Sequence, residues 1–405
     1  MHIAMFTNNY KPFVGGVPIS IDLFAREFRK LGHKVSIFAP EYNEEVEEEE
    51  ENTFRVPSLK MIKYGDSCFP IPISGLSDFK KNFGDFDIDI IHCHHPFFLG
   101  RVGQKLGNKH DIPVVYTYHT RFKEYFIHLP AGVRQVCQVA IDKLLKDFCN
   151  RSDLIFTPTD GMTEYLINKE VQSKIKVIPT GINIDNYKKY EDGKNEDYRK
   201  QLGLKPDENI LLFVSRLSTE KNIGFLFESL QPLLRSNEDN KTKLLMVGDG
   251  PQKEELMQKT KNLNIDEQVK FLGKKDREEL IRIYKLADIF VFSSLSETQG
   301  IVIIEALAGK TPVVALNGTG VKDILTDGRD GFLLEIGDKD GFRNRILKLL
   351  NNDELYNNMS EEAWKKANQY SINTLAKKVL SHYRSLCNGA KTNDYKSEVA
   401  AGRER

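Results

Sequence analysis

With 405 residues the chain is too long for one ordinary hydrophobic core, so two domains are expected. Hydrophobic residues make up 40% and charged residues 29%, with 58 basic against 58 acidic side chains; this describes a globular protein and argues against nucleic-acid binding through bulk charge. The five cysteines are scattered without a Cys-x-x-Cys pair, which reads as free thiols in a reducing cytoplasm. The chain opens as a strand, Met1–His2–Ile3–Ala4–Met5–Phe6, without a basic leader, and no apolar run approaches the roughly 20 residues that span a bilayer. Any membrane contact is therefore expected to be peripheral.

In the first half, Ile3–Phe6, Val35–Ala39, Ile88–Cys93, Val114–Tyr118, Leu154–Thr157 and Ile175–Pro179 read as strands. Amphipathic stretches lie between them, such as Ile19–Leu31, which Gly32 closes. That alternation predicts an α/β fold with a doubly wound parallel sheet covered on both faces. After the first strand comes a long loop carrying Gly15–Gly16, without a G-x-G-x-x-G fingerprint. Glycines there let the backbone approach a phosphate or a sugar ring, or simply turn the chain. The block Glu44–Glu51 repels itself and is expected in an exposed loop.

His92, His94 and His95 close one strand and His119 closes the next, where ligands of such sheets bind. A metal site is not expected, because alternate strand side chains face opposite ways and no Cys or Asp stands at a ligand-like spacing. Over residues 133–149, Val133, Val136, Cys137, Ala140, Ile141, Leu144, Leu145 and Phe148 share one helical face. That face packs on the sheet or, with Phe122, Tyr125 and Phe126 upstream, touches a lipid surface. After Val177–Ile178–Pro179–Thr180–Gly181, the charged stretch from Asp185 to about Asn209 reads as a linker.

The second half restarts with Ile210–Ser215, followed by Arg216 and Lys221, two cations at a strand–loop–helix junction that suit a diphosphate. Leu244–Val247 runs into Gly248–Asp249–Gly250–Pro251, and Val269–Gly273 is another strand. Ile289–Phe292 then breaks into Ser293–Gly300 and restarts as the helix Ile301–Ala308, whose first free amides attract phosphate. Glu297 and Glu305 cannot bind that anion; they suit sugar hydroxyls, or else serve as an N-cap and a solvated side chain. Pro312–Ala315 and Gly331–Leu334 complete the sheet, and a last helix covers about Thr374–Leu386. The polar residues after it read as a disordered tail.

Six landmarks stand in order: Gly15–Gly16, His119, Val177–Gly181, Arg216 with Lys221, Gly248–Pro251, and two glutamates, Glu297 and Glu305, separated by seven residues. Together they resemble the retaining glycosyltransferases of family 4. The resemblance implies a GT-B fold, two Rossmann-like domains facing across a cleft: residues 1–185 for the acceptor, 186–370 for the nucleotide-sugar donor, a helix at 371–388 crossing back, and a tail at 389–405. It further implies that Gly15 and Gly16 approach the donor diphosphate and that Arg216 and Lys221 neutralise it as it leaves. Gly300, Ile301 and Val302 offer it backbone amides, Glu305 binds the ribose and Glu297 the transferred sugar. His119 lies beside the reacting centre and the nucleobase packs near Gly273 and Lys274; Gly248, Thr298 and Gln299 complete the donor set.

No cofactor and no metal are implied, and Asp87–Ile88–Asp89 and Asp338–Lys339–Asp340 are discounted as chance D-x-D matches. Glu297–Thr298–Gln299–Gly300 and Tyr118–His119–Thr120, followed by Phe122, Tyr125 and His128, are similar to bacterial diacylglycerol glucosyltransferases. Those dock peripherally on the inner face of the membrane. The implied donor is UDP-glucose and the implied acceptor a lipid. A saccharide acceptor in capsule or lipopolysaccharide synthesis, and a nucleotide-sugar 2-epimerase, stay open.

Overall fold

The apolar runs build two parallel sheets, one in each of two units: Met1–Thr180 with Ile372–Arg405, and Gly181–Ser371. The computed structural model describes residues 1–13, 15–42, 52–64, 67–72, 83–120, 130–190, 196–235, 241–295 and 297–401. The block Glu44–Glu51 lies outside the described residues, as do Phe122, Tyr125, Phe126 and His128.

The first unit runs β1 (His2–Phe6), α1 (Gly16–Lys30), β2 (Lys34–Pro40), β3 (Thr53–Val56), β4 (Ser58–Tyr64), β5 (Ser67–Pro72), β6 (Ile90–Cys93), α2 (Leu99–His110), β7 (Val114–Thr117), α3 (Ala131–Asn150), β8 (Leu154–Thr157), α4 (Asp160–Asn168) and β9 (Ile175–Val177). Its seven-stranded sheet has the order β3-β2-β1-β6-β7-β8-β9, with parallel pairings. All five residues of β1 are buried, as a strand covered on both faces requires. β4 and β5 pair separately as an antiparallel hairpin.

The second unit comprises α5 (Ile184–Lys188), α6 (Glu196–Gln201), β10 (Asn209–Val214), α7 (Ile223–Leu234), β11 (Thr242–Val247), α8 (Lys253–Asn262), β12 (Val269–Gly273), α9 (Arg277–Leu286), β13 (Ile289–Phe292), α10 (Ile301–Ala308), β14 (Val313–Leu316), β15 (Gly331–Leu334), α11 (Lys339–Leu350) and α12 (Asp353–Asn368). Its sheet order is β12-β11-β10-β13-β14-β15, again parallel. The last helix, α13 (Ile372–Ala401), returns to the first unit and buries Leu375, Val379, Leu380 and Tyr383 in its core. Among the described residues no helix is long and apolar enough to cross a membrane.

Each sheet reverses its strand order once, at β1/β6 and at β10/β13, and ligands of doubly wound sheets bind beyond the strand ends at such points. The loops carrying Gly15–Gly16 and His94 leave the first, and those carrying Arg216, Lys221 and Glu297 leave the second.

Several sequence expectations are corrected. The supposed linker is not free: Ile184, Tyr187, Tyr198 and Leu204 enter the second unit's core, and buried Arg199 donates to the carbonyls of Lys205 and Glu208 at 2.8 and 2.6 Å. Its scattered aromatic anchors have no helical or strand period, which hid them. α1 starts at Gly16 rather than Ile19, since Pro18 fits a first helical turn. α3 buries Leu145, Phe148 and Cys149 but leaves Val133, Val136, Val139 and Leu144 exposed, so its apolar face does not pack on the sheet along its whole length. α13 continues to Ala401 instead of stopping near residue 386, with no proline to end it.

Candidate functional site

The second unit's site begins where β13 ends. Ser293 and Ser294 are buried, and Ser293 Oγ donates to the carbonyl of Lys221 at 2.9 Å, tying this turn to the loop after β10. Lys221 Nζ reaches Glu297 Oε1 at 2.6 Å across 76 residues of sequence, and only 16% of either side chain is exposed. The turn is fixed from behind: Glu297 N–H donates to the carbonyl of Thr319 at 3.2 Å, and a Cβ on Gly320 would stand 2.4 Å from the Glu297 carbonyl. Only glycine lets these two backbones approach so closely. Gly300, at φ 79°, is the residue before α10, so no side chain at that cap accepts from the helix's first amides. The amides of Ile301 and Val302 therefore sit at the positive end of α10. Thr298 is half-buried and Gln299 buried in the same turn.

Arg216, on the same loop as Lys221, is half-exposed and donates from Nη2 to Glu220 Oε1 at 2.7 Å. Burial would raise the Glu220 carboxyl, but the bonds from Ser218 and Arg216 outweigh it and hold the group below the usual glutamate range. Gly248 follows β11 at φ 127°; a Cβ there would meet the Ser215 carbonyl at 1.9 Å, so the turn admits no larger residue. Its amide donates to the Gly273 carbonyl at 2.8 Å, while Lys274 beyond it is exposed.

Glu305 is not solvated. It is 3% exposed, and its two oxygens accept from the Arg277 guanidinium and from Tyr284 Oη, the latter at 3.0 Å. Burial lowers the Arg277 pKa, yet Glu305 and the tyrosines around it outweigh that and raise it, so the guanidinium keeps its charge. Sequence reasoning missed Arg277 and Tyr284. Asp276, an N-cap that accepts from Glu279 N–H at 2.8 Å, marks where α9 starts, but not that its first residue faces Glu305.

In the first unit His119 is half-buried, and its Nε2 lies 3.0 Å from Nδ1 of buried His94. Behind them His92 bonds Thr117 Oγ1 and Tyr383 Oη, each at 2.6 Å. His95 Nδ1 accepts the Asn8 N–H at 3.1 Å. Burial pushes His95 down to about 4 and His92 to about 3; burial, followed by the charge of neighbouring histidines, holds His94 and His119 well below the ordinary range, so all four rings are neutral at pH 7. His92, His94 and His119 line one small pocket with Ser20, Phe24 and Thr180. Gly15 precedes α1 and Gly16 begins it; a Cβ on Gly16 would meet nothing within 4 Å.

Among the described residues no group of three or more His, Cys, Asp or Glu surrounds a metal position. The two D-x-D stretches do structural work: Asp89 accepts the His2 N–H at 2.8 Å, and Asp338 caps α11 by accepting from Gly341 N–H at 2.8 Å.

Residues 194–366 match the family model for group 1 glycosyl transferases, and residues 14–186 the model for Glycosyltransferase Family 4. The alpha-monoglucosyldiacylglycerol synthase of Streptococcus pneumoniae is 32% identical over 335 residues, covering 82% of this chain and 75% of the relative. The Acholeplasma laidlawii protein of the same name is 24% identical over 392 residues, covering 95% and 97%. Among solved structures, a sucrose-phosphate synthase from Thermosynechococcus elongatus superposes with a TM-score of 0.75 at 20% identity, covering 96% of this chain and 99% of that one. Anabaena Alr3699/HepE in complex with UDP and glucose gives 0.74 at 19%, covering 95% and 99%. At those identities the structures speak to the fold, which is GT-B.

Proposed function

The chain belongs to the retaining glycosyltransferases of family 4, and from that premise we propose that it moves glucose from UDP-glucose to a lipid hydroxyl such as that of 1,2-diacylglycerol. The observation that carries the donor half is the contact between Lys221 and Glu297, a cation and a sugar-hydroxyl acceptor held together at the start of α10. Lys221, Arg216 and the amides of Gly300, Ile301 and Val302 stabilise the diphosphate as the bond from its oxygen to the anomeric carbon breaks. The acceptor oxygen bonds that carbon, and its proton passes to the departing phosphate. Glu297 orients the sugar, and Glu305, aimed by Arg277 and Tyr284, takes the ribose hydroxyls. In the first unit His119 serves the transferred sugar and Gly15–Gly16 the diphosphate, while Gly248, Gly273, Lys274, Thr298 and Gln299 complete the donor set.

The lipid acceptor draws support from the names of the two synthases and from α3, whose exposed Val133, Val136, Val139 and Leu144 suit a peripheral contact with a bilayer on the cytoplasmic side. The test is a donor panel of UDP-glucose, UDP-galactose and GDP-mannose with mixed micelles containing diacylglycerol. UDP-glucose is expected to yield a glycolipid, and free UDP only when the lipid is present. Conversion of the donor to its 2-epimer without acceptor points to the epimerase chemistry, and transfer to soluble sugars alone sinks the lipid assignment.

A further inference from the structure

Two imidazole nitrogens 3.0 Å apart, as Nδ1 of His94 and Nε2 of His119 are, share one proton: one ring donates and the other accepts. Burial keeps both rings neutral, so each carries a single N–H. The surroundings of His94 decide the direction. Its second nitrogen, Nε2, is buried and has no hydrogen-bond partner among the described residues. If His119 donated, His94 would carry its own proton on that nitrogen, a buried N–H with nothing to accept it. Orphaned buried donors are rarer than unsatisfied acceptors, so the arrangement that leaves only a bare lone pair is favoured.

We propose that His94 donates from Nδ1 and so holds His119 as the Nδ1–H tautomer, which makes His94 a positioning residue for the group that serves the transferred sugar. The inference rests on the reading of His119 given above. His119 Nε2 is then spent on His94, and its Nδ1–H is the donor left to meet a sugar hydroxyl. The rest of the cluster keeps His94 in place. Thr117 of β7 and Tyr383 of α13 pin both nitrogens of His92, and the His92 ring lies against that of His94 with centroids 4.2 Å apart. The C-terminal helix thus braces His119 through two intervening rings.

Long-range proton–nitrogen spectra of the full chain labelled with 15N-histidine read the tautomer directly, with His119 assigned by its loss in His119→Gln. The expected spectrum shows His119 protonated at Nδ1. His94→Asn keeps an amide N–H close to where the Nδ1–H stood and is expected to preserve both tautomer and turnover. His94→Phe fills the space without a donor; it is expected to release the tautomer and lower kcat roughly 10–100-fold, the scale on which losing the orienting partner of a metal-bound histidine acts, with donor KM altered less. A wild-type His119 protonated at Nε2, or equal loss in the Asn and Phe variants, overturns the proposal. Should His94→Phe fail to fold, the wild-type spectrum decides alone. Because the spectrum needs no turnover, failure of the transferase reading appears separately, as absence of glycolipid with the tautomer intact.

Discussion

Glu305 shows how a residue's role depends on what surrounds it. A carboxylate that is 3% exposed would be costly alone; here Arg277 supplies the counter-charge and Tyr284 a second donor, and each oxygen retains a lone pair for the ribose hydroxyl proposed above. Arg277→Ala leaves that carboxylate buried with only the tyrosine. It is expected to cost about 3 kcal/mol of unfolding free energy by urea titration and to raise donor KM. A variant with wild-type stability and KM contradicts this role. The two glutamates themselves were legible from their spacing. Arg277 was not, because an ion pair between the start of one helix and the middle of the next leaves no periodic trace.

At the scale of elements, the parallel strands were legible because burial on both faces makes them continuous apolar runs. The hairpin of β4 and β5 was not, since Pro70 and Pro72 disguise β5 and Lys60 and Lys63 interrupt the apolar pattern of β4. Helical periodicity marked the apolar face of α3 but could not say that only its C-terminal end meets the sheet. The end of β6 carries a consequence for stability. His95 titrates near 6.5 when unfolded and at about 4 when folded. Above pH 6.5 both states are neutral and its contribution is fully present. As pH falls from 6.5 toward 4 the unfolded chain takes up a proton that the folded one refuses, so stability is lost across that window. The loss is on the order of 1–3 kcal/mol. His95→Asn keeps an acceptor for the Asn8 N–H without the titration, and is expected to reduce by one group's share the dependence of unfolding free energy on pH between 7 and 5, to which His92, His94 and His119 contribute with the same sign. An unchanged slope would show that His95 contributes nothing to it.

At the scale of the molecule, the two sheets have separate cores, to which the proposed function assigns separate halves of the chemistry, and α13 returns at the end of the chain to complete the first core. Alternation of strands and helices announced both sheets, but periodicity tells which face of α13 is apolar and not which sheet it covers. The ordered landmarks are each weak; their sequence along the chain carried the family. The central claim is retaining transfer of glucose to a lipid. Incubating the protein with UDP-α-glucose and diacylglycerol in mixed micelles, and reading the anomeric proton of the isolated glycolipid by NMR, tests it most directly. The account predicts an α-linked glucosyl lipid. A β-linked product, or no glycolipid from a preparation that glycosylates soluble sugars, would contradict it.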